Sequence, residues 1–199
     1  MPAPRRKPLL LWEPFPYLAL FVVLLATSFV RPGAEPWLFW PLIVLLAAAL
    51  VYLVISIGRE KRGANPDQWG NLLGVDDLTL VEAPSADREV RTVVPIDGAA
   101  HRQSGIEIAR TQGGPEQTAV LVPRASRWMA RRYRVGVQLV GGQRPRHAGY
   151  LGQAAEDRYV DRLDALRGEG KYVRVPARIV GDGRPFKVEL DLSGLDETV

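Results

Sequence analysis

Residues Tyr172–Leu192 read YVRVPARIVGDGRPFKVELDL, and the alternation in this stretch decides the fold class. Val173, Val175, Ala177 and Ile179 alternate with Arg174, Pro176 and Arg178. After the Gly-Asp-Gly at 181–183, Phe186, Val188, Leu190 and Leu192 alternate with Lys187, Glu189 and Asp191. A period of two puts each set of side chains on its own face of a strand. The stretch therefore predicts two half-buried strands joined by a glycine turn. Pro176 has no N–H to give to a ladder, which predicts that its strand lies at an edge or is bulged there.

Upstream, QAAEDRYVDRLDALRGEG places Ala155, Tyr159, Leu163 and Leu166 at helical spacing, with glycines at 168 and 170 to end the helix. Asp161, Arg162, Asp164 and Arg167 are expected on its solvated face. Before it, Val135, Val137 and Leu139 alternate in RVGVQLV, a Gly-Gly turn follows at 141–142, and HAGYL is short enough to be a returning strand. VRTVVP at 90–95, GIEIAR at 105–110 and TAVLVP at 118–123 are further predicted strands. Strands, a helix and strands again predict a small α+β, mostly β, domain: a twisted sheet or partly closed barrel with one amphipathic helix packed across it.

The first sixty residues are of another kind. From Trp37 to Ile57 the chain reads WLFWPLIVLLAAALVYLVISI, without a charge, which as a helix measures about 31 Å and matches a hydrocarbon core of about 30 Å. An earlier apolar run is interrupted near its start by Glu13, Pro14 and Pro16, and predicts a short or tilted span over about 16–30. A cleaved signal peptide is the competing reading, since Arg5, Arg6 and Lys7 precede the run, but no small-x-small cleavage site precedes RPGAEP. The expected organisation is a two-span helical hairpin over 1–58, a linker over 59–77 rich in glycine, asparagine and proline, and a barrel domain over 78–199. Basic residues precede the first span and follow the second, at Arg59, Lys61 and Arg62, whereas the intervening loop holds only Arg31. That asymmetry predicts an integral membrane protein with both termini in the cytoplasm. The chain has no cysteine, so disulfides and thiolate metal sites are excluded.

The net charge of +4 is carried entirely by residues 1–62, and the remainder holds 19 basic and 19 acidic residues. A generally basic nucleic-acid-binding domain is not supported by that balance. The distribution is uneven, however. Between Glu116 and Glu156 lie seven arginines and no acid, and five of the seven fall in RASRWMARRYRV, Arg124–Val135.

A strand, a glycine turn, Gly149-Tyr150-Leu151, an amphipathic helix and the closing hairpin together resemble the HIRAN domain over roughly 93–192. The resemblance implies a small barrel related to the OB fold. Members of that family attached to helicases recognise single-stranded DNA ends. HIRAN sequences usually carry an Asn-Pro-x-Asp-x-Asn-Ala type segment before the strand that leads to the glycine turn, and here RASRWMARRYRV holds that place.

Catalysis would need convergent groups. His101 and His147 stand far apart in sequence, with neither an HExxH pattern nor a neighbouring ligand pattern. Ser104 has no G-x-S-x-G context, and the glycine pairs form neither a P-loop nor a dinucleotide fingerprint. The expectation is a non-enzymatic binding module with no cofactor, no metal and no evident small-molecule substrate. Its candidate binding residues are Arg124, Arg127, Trp128, Arg131, Arg132, Tyr133, Arg134, Arg144, Arg146 and Tyr150. Three kinds of partner fit arginines interleaved with aromatics: single-stranded nucleic acid, the anionic inner leaflet, and a protein partner at the membrane surface, the last being preferred. A solvated strand edge whose arginines discourage edge pairing, with Trp128 and Tyr133 packed inward, is the fourth reading.

Overall fold

The computed structural model describes residues 6–28, 36–59, 64–67, 69–84, 92–127 and 129–197. The chain divides into two units, one of Gly63–Arg127 with Arg132–Val199, the other of Arg6–Arg62 with Trp128–Arg131.

The first unit is a closed six-stranded barrel. Its strands are β2 (Val93–Asp97), β3 (Glu116–Ser126), β4 (Tyr133–Leu139), β5 (Arg146–Leu151), β6 (Lys171–Val180) and β7 (Lys187–Asp191). They run in the order β6-β3-β4-β5-β2-β7, and β7 returns to pair with β6. A further strand, β1 (Thr79–Glu82), adds to β6 in parallel. The C-terminal hairpin thus forms as the alternation requires, and the barrel is fully closed rather than partly so.

Pro176 is not at an edge: it lies opposite Thr118 of β3 in an inner strand. Its missing donor is harmless for a different reason. The Arg174 carbonyl accepts from Ala83 N at 2.9 Å, so the even-numbered residues of β6 turn their backbone groups away from β3. On that side β1 ends opposite Arg174, and the pairing with β7 runs from Val180 opposite Lys187 only as far as Ala177 opposite Leu190. Pro176 falls in the gap between the two partners, where the ladder asks for no N–H.

Inside the barrel, Leu121, Val137, Leu139, Val173, Val175, Ile179, Val188 and Leu190 form one core cluster. Helix α4 (Gln153–Gly168) closes it with Ala155, Tyr159, Val160 and Leu163, while Leu166 packs at its margin. The GIEIAR strand expectation is overturned, because residues 103–113 form helix α3 (Gln103–Gly113). Ile106 and Ala109 are its buried residues, three apart as one helix face requires, whereas Ile108 is exposed. An isoleucine at every second position imitated a strand. A short helix, α5 (Ser193–Glu197), follows β7, so the described residues of the domain hold three α-helices rather than one.

β3 is buried on both faces. Ala119 and Leu121 point into the barrel, and Val120 and Val122 join a second cluster with Leu72 and Tyr172, flanked by Val75, Leu78 and Leu80. The linker expected over 59–77 is therefore packed in its later part. Asp67 Oδ1 accepts from the backbone N–H of Trp69 at 2.9 Å and of Asn71 at 2.7 Å, and Asn65 Nδ2 donates to Gly74 O at 2.9 Å. Gly149 of the Gly-Tyr-Leu stretch has a steric role, since a Cβ there would stand 2.3 Å from the Asp97 carbonyl oxygen.

In the second unit, helices α1 (Phe15–Ser28) and α2 (Pro36–Arg59) pack on one another. Phe15 and Tyr52 meet edge to face at 6.3 Å, and Tyr52 OH donates to Leu10 O at 2.6 Å. One helix is long and apolar enough to cross a membrane: α2 over Phe39–Gly58, with a mean hydropathy of 2.6. α1 has 14 residues, about 21 Å of helix and short of a hydrocarbon core of about 30 Å. Residues 29–30, where the first span was expected to end, lie outside the described residues, as do Lys61 and Arg62.

Val175 and Val188 are each 1% exposed in the barrel core. Val175→Asp and Val188→Asp should each lower unfolding free energy by several kcal/mol, because an unpaired carboxylate would be buried. Urea denaturation followed by circular dichroism checks this, and an unchanged midpoint in either variant would contradict the placement.

Candidate binding surface

RASRWMARRYRV forms the end of the β3–β4 hairpin and the connection between the two strands. The β3–β4 register shifts between Val122 and Ala125, and Arg124 sits there with φ of 57°. A bulge with one residue in the left-handed region bends the strand and re-aims the side chain. The Arg124 guanidinium consequently reaches α4, its Nε lying 3.2 and 3.3 Å from the two carboxylate oxygens of Asp164.

Two further arginines of the stretch are also engaged by acids. Arg134 Nε donates to Glu156 Oε2 at 2.5 Å, and its Nη2 donates to Asp97 Oδ2 at 3.0 Å and to Leu151 O at 2.6 Å. Glu156 is 2% exposed, so this carboxylate is a buried charge that needs its partner. Burial of Arg134 works against its charge, but the hydrogen bonds it donates to Glu156 and Asp97, with the charges of those carboxylates, outweigh it and the pKa moves upward. Arg132 Nη2 lies 3.7 Å from both Glu156 Oε1 and Asp157 Oδ1. Asp164, expected on the solvated face of α4, is thus an ion-pair partner, and Arg162 Nη1 donates to the Leu195 carbonyl.

The other candidates divide. Arg127, Arg131 and Arg144 are exposed, while Tyr133 and Tyr150 are half-buried. Tyr150 meets the His147 ring edge to face at 5.1 Å and takes the Arg134 guanidinium over its ring at 5.5 Å. Trp128, whose position was to separate a binding surface from a strand edge, lies outside the described residues. Within the helical unit, Lys7 N donates to Arg131 O at 2.7 Å and Trp12 Nε1 donates to Met129 O at 3.0 Å. Met129 itself is 52% exposed and has φ of 66°.

The two histidines, far apart in sequence, line one cleft on the barrel unit together with Arg102, Ser104, Gln138 and Arg146. Gln138 and His147 are opposite one another in the β4–β5 ladder. Gln138 Nε2 lies 2.6 Å from Gly70 O and 2.8 Å from His147 Nδ1. A carbonyl only accepts, so this Gln138 atom is the NH₂ group and Nδ1 of His147 is the acceptor. The imidazole is then neutral with its proton on Nε2. Burial, with the charge of Arg102 acting in the same direction and that of Asp67 opposing, pushes His147 down to about 4. Among the described residues, no three His, Asp or Glu side chains gather as metal ligands.

Comparison with protein-family models, with curated proteins and with solved structures gives no match. The site is therefore read from its own geometry.

A histidine near 6.5 when unfolded and about 4 when folded binds more protons in the unfolded state between those values, so stability rises with pH across that window. His147 should contribute its full effect above pH ~6.5 and lose up to about 3 kcal/mol as pH falls toward ~4. Urea midpoints of the wild type and of His147→Gln at pH 7.5, 6 and 4.5 check this. The variant should show a smaller decline on acidification, and equal declines would assign the acid sensitivity elsewhere.

Proposed function

We propose that this chain is a membrane-anchored, non-enzymatic binding module whose barrel, on the cytoplasmic side, engages a protein partner at the inner membrane surface. The observation that carries the choice of partner class is the internal neutralisation of Arg124, Arg132 and Arg134 by Asp164, Glu156, Asp157 and Asp97. A polyanion gains affinity by releasing counterions from unpaired cations. Guanidinium groups already paired to carboxylates have little of that to give. Among its described residues the stretch leaves Arg127, Met129 and Arg131 exposed, and arginine and methionine are enriched in protein interfaces.

The anchor reading is supported by the length and apolarity of α2 and by the basic residues that flank the apolar runs. In this reading α1 is a second, short span that makes up the difference by local thinning of the bilayer. The HIRAN-like reading rests on the sequence pattern over 93–192 and is compatible with a small closed barrel. Recognition of a single-stranded DNA end, or of anionic lipid, is the alternative function through the same stretch.

Two measurements test the proposal. A reporter fused after Val199 should be active only as a cytoplasmic fusion, and activity of an extracytoplasmic reporter at that point would refute the orientation. A photo-crosslinking amino acid at position 129 of the full chain, irradiated in intact cells, should yield a discrete protein adduct. Adducts with lipid alone would favour the leaflet reading, adducts with nucleic acid the HIRAN-like one, and either result without a protein adduct would overturn the partner proposal.

A further inference from the structure

The cleft that unites the two histidines has a volume of about 520 Å³, within the range of small-molecule sites. Its wall is built from the start of α3, the β4–β5 ladder and the turn at Asn71–Leu72. It is cationic: among the described residues Arg102 and Arg146 are both on the lining, and no Asp or Glu is. In contrast to Arg124, Arg132 and Arg134, these two guanidinium groups are not consumed internally. Arg146 Nε is buried without a hydrogen-bond partner. A buried guanidinium N–H left unpaired costs free energy, and no group among the described residues offsets it at Arg146 Nε.

The remaining polar groups are suited to the same ligand. The neutral His147 is held by Gln138, which is itself held by Gly70, so the Nε2 proton is left as the donor. Ser104 Oγ accepts from Arg184 Nη2 at 3.2 Å and keeps its own proton to donate. Nearby Asp67, the one acid that acts on His147, already accepts from Trp69 N, Asn71 N and Asn71 Nδ2. The cleft therefore presents two fixed positive charges and neutral N–H and O–H donors. Two guanidinium charges match a phosphate monoester, which carries about −1.5 to −2 near neutral pH, and arginine forks fit phosphate oxygens bidentately. Among the described residues no Phe, Tyr or Trp lines the wall, and none of them offers a nucleobase an aromatic face on which to stack.

We propose that this cleft is a binding site for a phosphate monoester of a small polar molecule or lipid headgroup, held by Arg102 and Arg146 with Ser104 and His147 as neutral donors. The site lies within the barrel unit and does not depend on the partner proposal.

The test uses the full chain in neutral detergent, titrated calorimetrically at constant ionic strength with three probes. These are inorganic phosphate, glycerol 3-phosphate and monomeric dihexanoyl phosphatidic acid, and dihexanoyl phosphatidylcholine is the control without a monoester. At least one probe should bind saturably, the control should not, and Arg102→Gln and Arg146→Gln should each weaken binding by about tenfold or more, as expected for loss of a charge-assisted pair. Arg167→Ser, on the exposed face of α4 and outside the cleft, should leave binding unchanged. Binding of the first two probes assigns a soluble monoester, and binding of the lipid alone assigns a headgroup. Arg102 is exposed, so its variant carries the test even where Arg146→Gln perturbs folding. Absence of saturable binding for all three probes, or binding that Arg102→Gln retains in full, would overturn the proposal.

Discussion

β6 pairs with β3 through residues 173–178 on one side and with β7 through residues 177–180 on the other, and the rest of the barrel unit depends on this double pairing. Through it the last hairpin of the chain joins a strand that begins near residue 116, and a sheet that would otherwise have two open edges becomes a closed wall. Closure brings Val173, Val175 and Ile179 of β6 against Leu121, Val137 and Val188 around one apolar interior. The burial of that interior, at about 25 cal/mol per Å² of apolar surface, is the main term that opposes the entropy of ordering the chain.

Once the wall is closed, its polar groups are drawn into fixed relations. Gln138 stands opposite His147 because β4 and β5 are in that register. Arg134 reaches Glu156 because helix α4 lies across the barrel after β5. The two arginine sets then part in character. Arg124, Arg132 and Arg134 are matched by acids and hold α4 to the β3–β4 hairpin, whereas Arg102 and Arg146 face a cleft with no acid among the described residues of its lining. The acid-free run of arginines in sequence was divided in space: Arg124, Arg132 and Arg134 entered a neutralised network, and Arg146 joined Arg102 at the cleft.

Strand identity was legible where apolar side chains alternated with polar residues or glycine, as in residues 172–192 and 135–139, because a period of two is then visible in the sequence even where, as at Gly136 and Gln138, both faces are buried. α4 was legible for the corresponding reason at helical spacing. The reading failed where apolar residues occurred at alternate positions of a short helix, with Ile106 buried and Ile108 exposed. It also missed the packing of residues 64–78, whose glycines and asparagines resemble a tether but whose Leu72 fills the outer face of β3. For Pro176 the local rule was sound and its consequence wrong: what the residue needs is a missing neighbour, and a gap between two partners on an inner strand supplies one.

By itself, the sequence determined the separation of an apolar N-terminal part from a charge-balanced barrel domain, the elements with clear periodicity and the concentration of arginines over 124–146. Those properties are local, since each depends on residues within a few turns or strands of one another. Only the tertiary structure decided which cations are spent on partners and which are left to a ligand. The pairing of Arg134 with Glu156, of Arg124 with Asp164 and of His147 with Gln138 depends on register, on a bulge at Arg124 and on how α4 crosses the sheet. Electrostatic partnership falls off over a few ångströms, and distances of that order between residues far apart in the chain exist only after the barrel has closed.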